Sequence, residues 1–243
     1  MEFINGDCMD YMKDYPDNYF DLAIVDPPYG AGFTEGGGCK GWFSKYHQIN
    51  EGGVWRTSDK TRFGGWFDRY KDGRNMGEEI HKKIITWDVA PDKEYFTELF
   101  RISRNQIIWG GNYFELPATR CFLIWRKLSI SESFSMAMAE YAWTSFNENA
   151  KLYECTPQGK KDDPRFHPTQ KPVELYKWIL HNYAKKGDKI LDTHVGSGSS
   201  LIACEQMGFD CVGYEIDPEY YEKACRRIKR ETAQMTLWDM GLT

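Results

Sequence analysis

Several absences narrow the function of this 243-residue sequence before any motif is considered. Its seven cysteines stand singly at Cys8, Cys39, Cys121, Cys155, Cys204, Cys211 and Cys225. An odd count with no Cys-x-x-Cys pair argues against a disulfide framework and against a thiolate zinc site, and no metal is expected. No apolar run approaches the roughly 20 residues of a membrane span. The N-terminal Met1-Glu2-Phe3-Ile4-Asn5-Gly6 lacks the basic segment and apolar stretch of a signal peptide, so a cytoplasmic location is expected. Positive charge is also scarce. Lys and Arg number 31 against 36 Asp and Glu, a net charge of -5, so no global basic field marks a polyanion binder.

What is present has the balance of a globular protein, with 28% charged and 41% hydrophobic residues. The length fits one domain spanning 1–243, and such a chain buries about 70% of its unfolded surface. Glycine is unevenly spread: twelve of the 22 lie between Gly30 and Gly77, marking an insertion at about 31–86. Either side of it, strand and helix signals alternate at short spacing. Phe20 to Val25 reads as a buried strand ended by Asp26-Pro27-Pro28. A helix is expected within 91–104, then strands at 106–109, 121–125 and 140–143. Pro172 to Lys186 reads as an amphipathic helix stopped by Gly187. A compact strand–turn–helix–strand follows at 189–192, 199–207 and 210–214, and Pro218 opens a last helix to about Arg230. The pattern predicts an α/β fold with a doubly wound, mostly parallel sheet.

Two turns carry chemistry. In Asp192-Thr193-His194-Val195-Gly196-Ser197-Gly198-Ser199-Ser200, the glycines let backbone approach a ligand, and Ser199 or Ser200 can cap the helix that follows. Glu215, about 20 residues on, can take both ribose hydroxyls of an adenosine. A dinucleotide site would show a third glycine, but Leu201 stands there, and Asp192 would repel a pyrophosphate. The acid suits a cationic amino-acid moiety, as in S-adenosylmethionine; the alternative is a tight turn without a ligand.

The second turn is Asp26-Pro27-Pro28-Tyr29-Gly30. Its prolines fix φ and hold the Pro27 carbonyl rigidly, so carboxylate and carbonyl form a pair of acceptors. An exocyclic NH2 group needs such a pair, because its nitrogen becomes nucleophilic only when both hydrogens are drawn off the ring plane. Tyr29 offers a face for a base to stack on. The plainer reading is an ordinary strand-ending turn.

Together these motifs make the chain similar to the amino-directed (N6-adenine or N4-cytosine) DNA methyltransferases, in the permuted order with the catalytic motif first. Asp26-Pro27-Pro28-Tyr29 resembles that family's catalytic tetrapeptide, and Asp192 through Ser199 its cofactor loop. Gly213-Tyr214-Glu215-Ile216-Asp217 resembles its ribose-binding acid segment, His167-Pro168-Thr169-Gln170-Lys171-Pro172 the segment before the cofactor strand, and Asn5-Gly6-Asp7-Cys8 its adenine-ring contact. The resemblance implies a Rossmann-like S-adenosylmethionine-dependent methyltransferase fold, with S-adenosylhomocysteine as product. It implies cofactor contacts from Asp7, Cys8, Asp26, His167, Lys171, Asp192, Thr193, Val195, Gly196, Ser197, Gly198, Ser199, Glu215 and Ile216. One departure is visible: Thr193-His194 stands where the family usually has Pro-Phe, and His194 is read as structural.

The implied substrate is double-stranded DNA, most simply adenine N6 in a flipped-out base, with N4 of cytosine as the alternative. Between Cys39 and Gly77, eight basic residues face four acids among interleaved aromatics. Lys40, Lys45, Arg56, Arg62 and Arg69, with Lys160 and Lys161 further on, are the expected DNA contacts. A solvated insertion with its own small core is the competing view of that window. The enzyme is expected as monomer or homodimer, off the membrane, with or without a partner restriction endonuclease. Rival functions are an RNA or protein-amide methyltransferase, a non-catalytic module of the same fold, and, more distantly, a nicotinamide oxidoreductase.

Overall fold

Strand β2 (Phe20–Val25) is buried along nearly its whole length, as a continuous apolar run requires when both faces of a parallel sheet are covered. A computed structural model describes residues 1–30, 89–131, 137–157, 163, 165–167 and 169–239. Around β2 stand β1 (Glu2–Asn5), β3 (Ser103–Trp109), β4 (Phe122–Lys127), β5 (Ala139–Thr144), β6 (Lys151–Cys155), β7 (Lys189–Asp192) and β8 (Asp210–Glu215). They form one sheet in the order β1-β8-β7-β2-β3-β5-β4-β6. Among these described strands only β5 runs against its neighbours; the other pairings are parallel. The doubly wound, mostly parallel sheet read from the sequence is therefore the fold.

The described helices are α1 (Cys8–Met12), α2 (Lys93–Ile102), α3 (Val173–Tyr183), α4 (Ser199–Met207) and α5 (Pro218–Asp239). Alternation along β2 sends its side chains to opposite faces. Leu22 and Ile24 join Ile107, Trp109, Leu175, Ile179 and Ile202 on the side of α3 and α4. Ala23 and Val25 join Ile108, Tyr95, Leu99 and Ile102 on the side of α2, and Phe20, where the strand begins, packs into the same cluster against the alternation.

Three local expectations are corrected. Gly187 does not stop α3, which ends at Tyr183 with Ala184 in extended backbone; Asp188 accepts from the Lys185 N–H at 2.8 Å, and Gly187, at φ +94, serves that turn. Neither Ser199 nor Ser200 caps α4, because Gly198 holds the cap position without a side-chain bond. Their hydroxyls are used elsewhere, as described below. The last helix runs to Asp239 rather than to about Arg230. Strands β1 and β6 are additional to the expected set; segments of four and five residues at the two sheet edges carry too little periodicity to announce themselves.

The chain divides into two compact units, Met1–Pro27 with Asp92–Thr243, and Pro28–Pro91. The boundary falls inside the Asp26–Tyr29 tetrapeptide. The basic window with Lys40, Lys45, Arg56, Arg62 and Arg69 lies outside the described residues, as do Lys160 and Lys161. Among the described residues no helix is long and apolar enough to cross a membrane.

Candidate cofactor and catalytic site

Four parallel neighbours, β1, β8, β7 and β2, end at one edge of the sheet, the edge where open α/β sheets bind ligands. Each ends in or just before a polar residue: Asn5, Glu215, Asp192 and Asp26. The Asn5 amide donates to the Glu215 carbonyl at 2.7 Å, tying the first two ends together. Asp7 accepts from the Met9 N–H at 2.9 Å and so caps α1. Burial, helped by Asp7, pushes the Cys8 thiol up to about 12, so Cys8 is an uncharged packing group.

The glycine loop is shaped by its neighbours. Gly196 has φ +55, and a β-carbon there would lie 3.2 Å from the His167 ring, which itself packs edge-on against Tyr220. Only glycine satisfies both demands without strain. The Gly196 N–H donates to Glu215 Oε2 at 2.8 Å, while Glu215 Oε1 accepts from the Asp217 N–H at 2.9 Å. Gly198, at φ +84, lies against Ile228 of α5. Behind the loop, Arg227 donates to the Ser197 carbonyl at 2.9 Å and to Ser199 Oγ at 2.8 Å. Its other nitrogens grip Asp163 at 2.8 and 2.5 Å. Ser199 Oγ also donates to the Lys171 carbonyl at 2.6 Å, which joins the loop to the segment before α3.

Asp192 is buried and accepts from the His194 N–H at 2.9 Å and from the Ser200 hydroxyl. Burial raises its carboxyl to about 7, against which those two donors act. His194 bonds Thr193 Oγ1 at 2.9 Å, and Thr193 Oγ1 also bonds the Tyr95 hydroxyl at 2.7 Å. Tyr95 meets the His194 ring edge-on at 5.4 Å. Burial lowers His194 to about 4, so the ring is neutral and packs much as an aromatic would.

Asp26 forms an ion pair with Lys171. The Lys171 ammonium reaches Glu140 Oε2 at 3.2 Å, and Glu140 Oε1 meets Lys127 at 2.5 Å. Burial works against the Lys171 ammonium, but Asp26 and Glu140 outweigh it and hold the group above its ordinary value. Burial would likewise raise the Glu140 carboxyl, yet Lys171 and Lys127 keep it below the usual range.

The structure thus brings Asp26 to Lys171, Gly196 to His167 and Glu215, and Asp192 to Ser200. Val195 and Ser197 are buried within the loop, whereas Ile216 is 60% exposed just past β8. Pro28 and Tyr29 belong to the second compact unit. The sequence reading missed Glu140, Lys127, Asp163, Arg227 and Tyr95.

The donor set fits S-adenosylmethionine. Carboxylates at the ends of β7 and β8 suit an ammonium and ribose hydroxyls, and Gly196 and Gly198, both at positive φ, give the loop its tight turn at that edge. Among the described residues no group of three or more His, Cys, Asp or Glu side chains could hold a metal.

A family model described as DNA methylase, covering N6 and N4 enzymes, matches residues 68–226. The type II methyltransferase M2.DpnII of Streptococcus pneumoniae is 38% identical over 95% of this chain and 90% of its own length. M2.MboI of Moraxella bovis is 26% identical over 93% of this chain and 87% of its own. In fold, the chain is similar to an M1.HpyAVI–SAM complex (TM-score 0.53, 16% identity, 95% and 98% covered). It is also similar to the cytosine-N4-specific PvuII DNA methyltransferase (TM-score 0.51, 12% identity, 96% and 91% covered).

Proposed function

This chain belongs to the N6/N4 DNA methylase family and is an S-adenosylmethionine-dependent DNA methyltransferase, and within that activity we propose that its acceptor is N6 of adenine. The observation that carries the reading is Asp26. Its carboxylate stands at the end of β2, at the same sheet edge as the Gly196–Gly198 loop, and is ion-paired with the buried Lys171. An aspartate heading the tetrapeptide gives a charged acceptor, which favours adenine; N4 of cytosine shares the geometry and is the second reading.

When bound, the cofactor supplies an electrophilic methyl group on a sulfonium. Asp192 and Glu215 would hold its charged and hydroxyl-bearing ends, Gly196 and Gly198 give the loop its turn, and Thr193, Val195, Ser197 and Ser199 would shape the loop around it. His167 supports Gly196 from behind. Asp26 and the Pro27 carbonyl accept the two hydrogens of the target amine and free its lone pair. The carboxylate also stabilises positive charge that develops on nitrogen, and Tyr29 stacks on the flipped base. Catalysis is positioning and charge complementarity. The 31–86 window, with Lys160 and Lys161, supplies phosphate contacts on double-stranded DNA.

Expression in a methylation-free host, followed by modified-base sequencing, reports base and recognition site together. N6-methyladenine is expected, and N4-methylcytosine would overturn the assignment. Asp26→Asn keeps the shape but exchanges an anionic acceptor for a neutral amide. Its kcat should fall by about 100-fold or more, while cofactor affinity measured by calorimetry stays near that of the parent.

A further inference from the structure

The Asp26 carboxylate belongs to a row of charges on the α3 face of the sheet. Pairing of Ile24 with Ile107, Trp109 with Ala142 and Trp125 with Glu140 puts Asp26, Trp109, Glu140 and Lys127 on that face. Along it the signs alternate: Asp26, Lys171, Glu140, Lys127. Both cations are buried, at 3% and 6% exposure. The Lys171 ammonium also lies 5.2 Å from the centre of the Trp109 ring. Apolar residues of similar volume hold a core as well as buried ion pairs do, so stability alone does not explain four charges beside the reacting carboxylate.

We propose that Glu140 is a positioning residue for methyl transfer: by sharing the Lys171 ammonium with Asp26, it keeps Asp26 an available anionic acceptor for the target amine. The inference rests on the reading of Asp26 given above. An ammonium divided between two carboxylates neutralises neither fully. With Glu140 uncharged, Lys171 would settle on Asp26 alone and weaken it as an acceptor. Lys127 fixes the far oxygen of Glu140, so that carboxylate cannot swing toward the reaction. Among the described residues, other ionisable groups that feel these carboxylates include Asp192 at the end of β7, Tyr176 on α3 and Arg165 ahead of the His167 segment.

The test is the pH dependence of kcat in Glu140→Gln and in Glu140→Gln/Lys127→Met, the second variant removing the lysine that the first leaves buried without its partner. In both, kcat should fall about tenfold, KM for cofactor and DNA should stay within about threefold, and the acid limb of the profile should move to lower pH. Along the row Glu140 stands nearer the reacting carboxylate than Lys127 does, so loss of the nearer negative charge outweighs loss of the farther positive one and fixes that direction. A folded double variant with parental kcat and profile would overturn the proposal. So would a lower kcat with an unmoved acid limb, which marks a structural role. Asp26→Asn run alongside separates the failures: retained methylation sinks the reading of Asp26, whereas a dead Asp26→Asn beside indifferent Glu140 variants sinks only this inference.

Discussion

Asp192 and His194 are joined through a backbone hydrogen bond, yet burial moves their titrations in opposite directions. The Asp192 carboxyl rises from its ordinary 3.8 to about 7. The folded chain therefore holds that proton longer than the unfolded chain, and this contribution to stability declines as pH rises from about 4 to 7. His194 falls from 6.5 to about 4, so the unfolded chain takes the proton first and stability declines as pH drops through the same region. The two slopes oppose each other between about pH 4 and 6.5. Asp192→Asn leaves His194 unopposed: the amide Oδ1 still accepts from the His194 N–H, and the amide Nδ2 donates to the Ser200 hydroxyl where the carboxylate accepted from it. Urea unfolding of that variant should show stability climbing with pH more steeply than in the parent, by up to about 1.4 kcal/mol per pH unit. Identical slopes would mean that Asp192 stays ionised throughout. The same pair explains the departure from Pro-Phe at 193–194: a neutral histidine, edge-on to Tyr95, fills an aromatic place while its Nδ1 satisfies Thr193.

Helix α5 acts on the cofactor loop from behind through Arg227. The guanidinium is 3% exposed, and it spans Asp163, the Ser197 carbonyl and Ser199 Oγ. Asp163 also meets Arg230 at 2.6 Å. Removing one partner of a buried pair leaves an uncompensated charge, so Asp163→Asn should cost about 3 kcal/mol in urea unfolding. Amide hydrogen exchange over 196–199 should quicken, while exchange in β3 stays unchanged; a loop as protected as in the parent would show that α5 does not brace it. None of this was legible in the sequence. Asp26-Pro27-Pro28-Tyr29 and Gly196-Ser197-Gly198 could be read because their chemistry lies within a few consecutive residues. Arg227 is a plain helical arginine until Asp163, 64 residues earlier, is placed beside it. Glu140 and Lys127 likewise look like solvent-facing charges on short strands. Their inward direction follows only from the antiparallel insertion of β5 between β3 and β4, which no local pattern announces.

For the whole molecule, net charge is a poor guide and its distribution a better one. Acids needed at the sheet edge belong to the first compact unit, while the surplus of basic residues between Cys39 and Gly77 falls within the second. If that window carries the phosphate contacts, replacing 39–77 by a short linker should abolish DNA binding and leave cofactor affinity intact. In the parent, the logarithm of the association constant should fall linearly with that of salt concentration, by about 0.9 for each phosphate contacted. Sequence-specific methylation retained without 39–77 would place recognition elsewhere in the chain.

Among the described strands, β1 pairs with β8 alone, and β2 lies between β7 and β3. Growing from the ribosome, the chain therefore makes β1 about two hundred residues before β8, its described neighbour. Asp26 emerges early, but β7, which carries Asp192, and β8, which carries Glu215, come late. A nascent chain that stops before β7 lacks both Asp192 and Glu215, so methylation competence should arrive late, as β7 and β8 are translated and slot between β1 and β2.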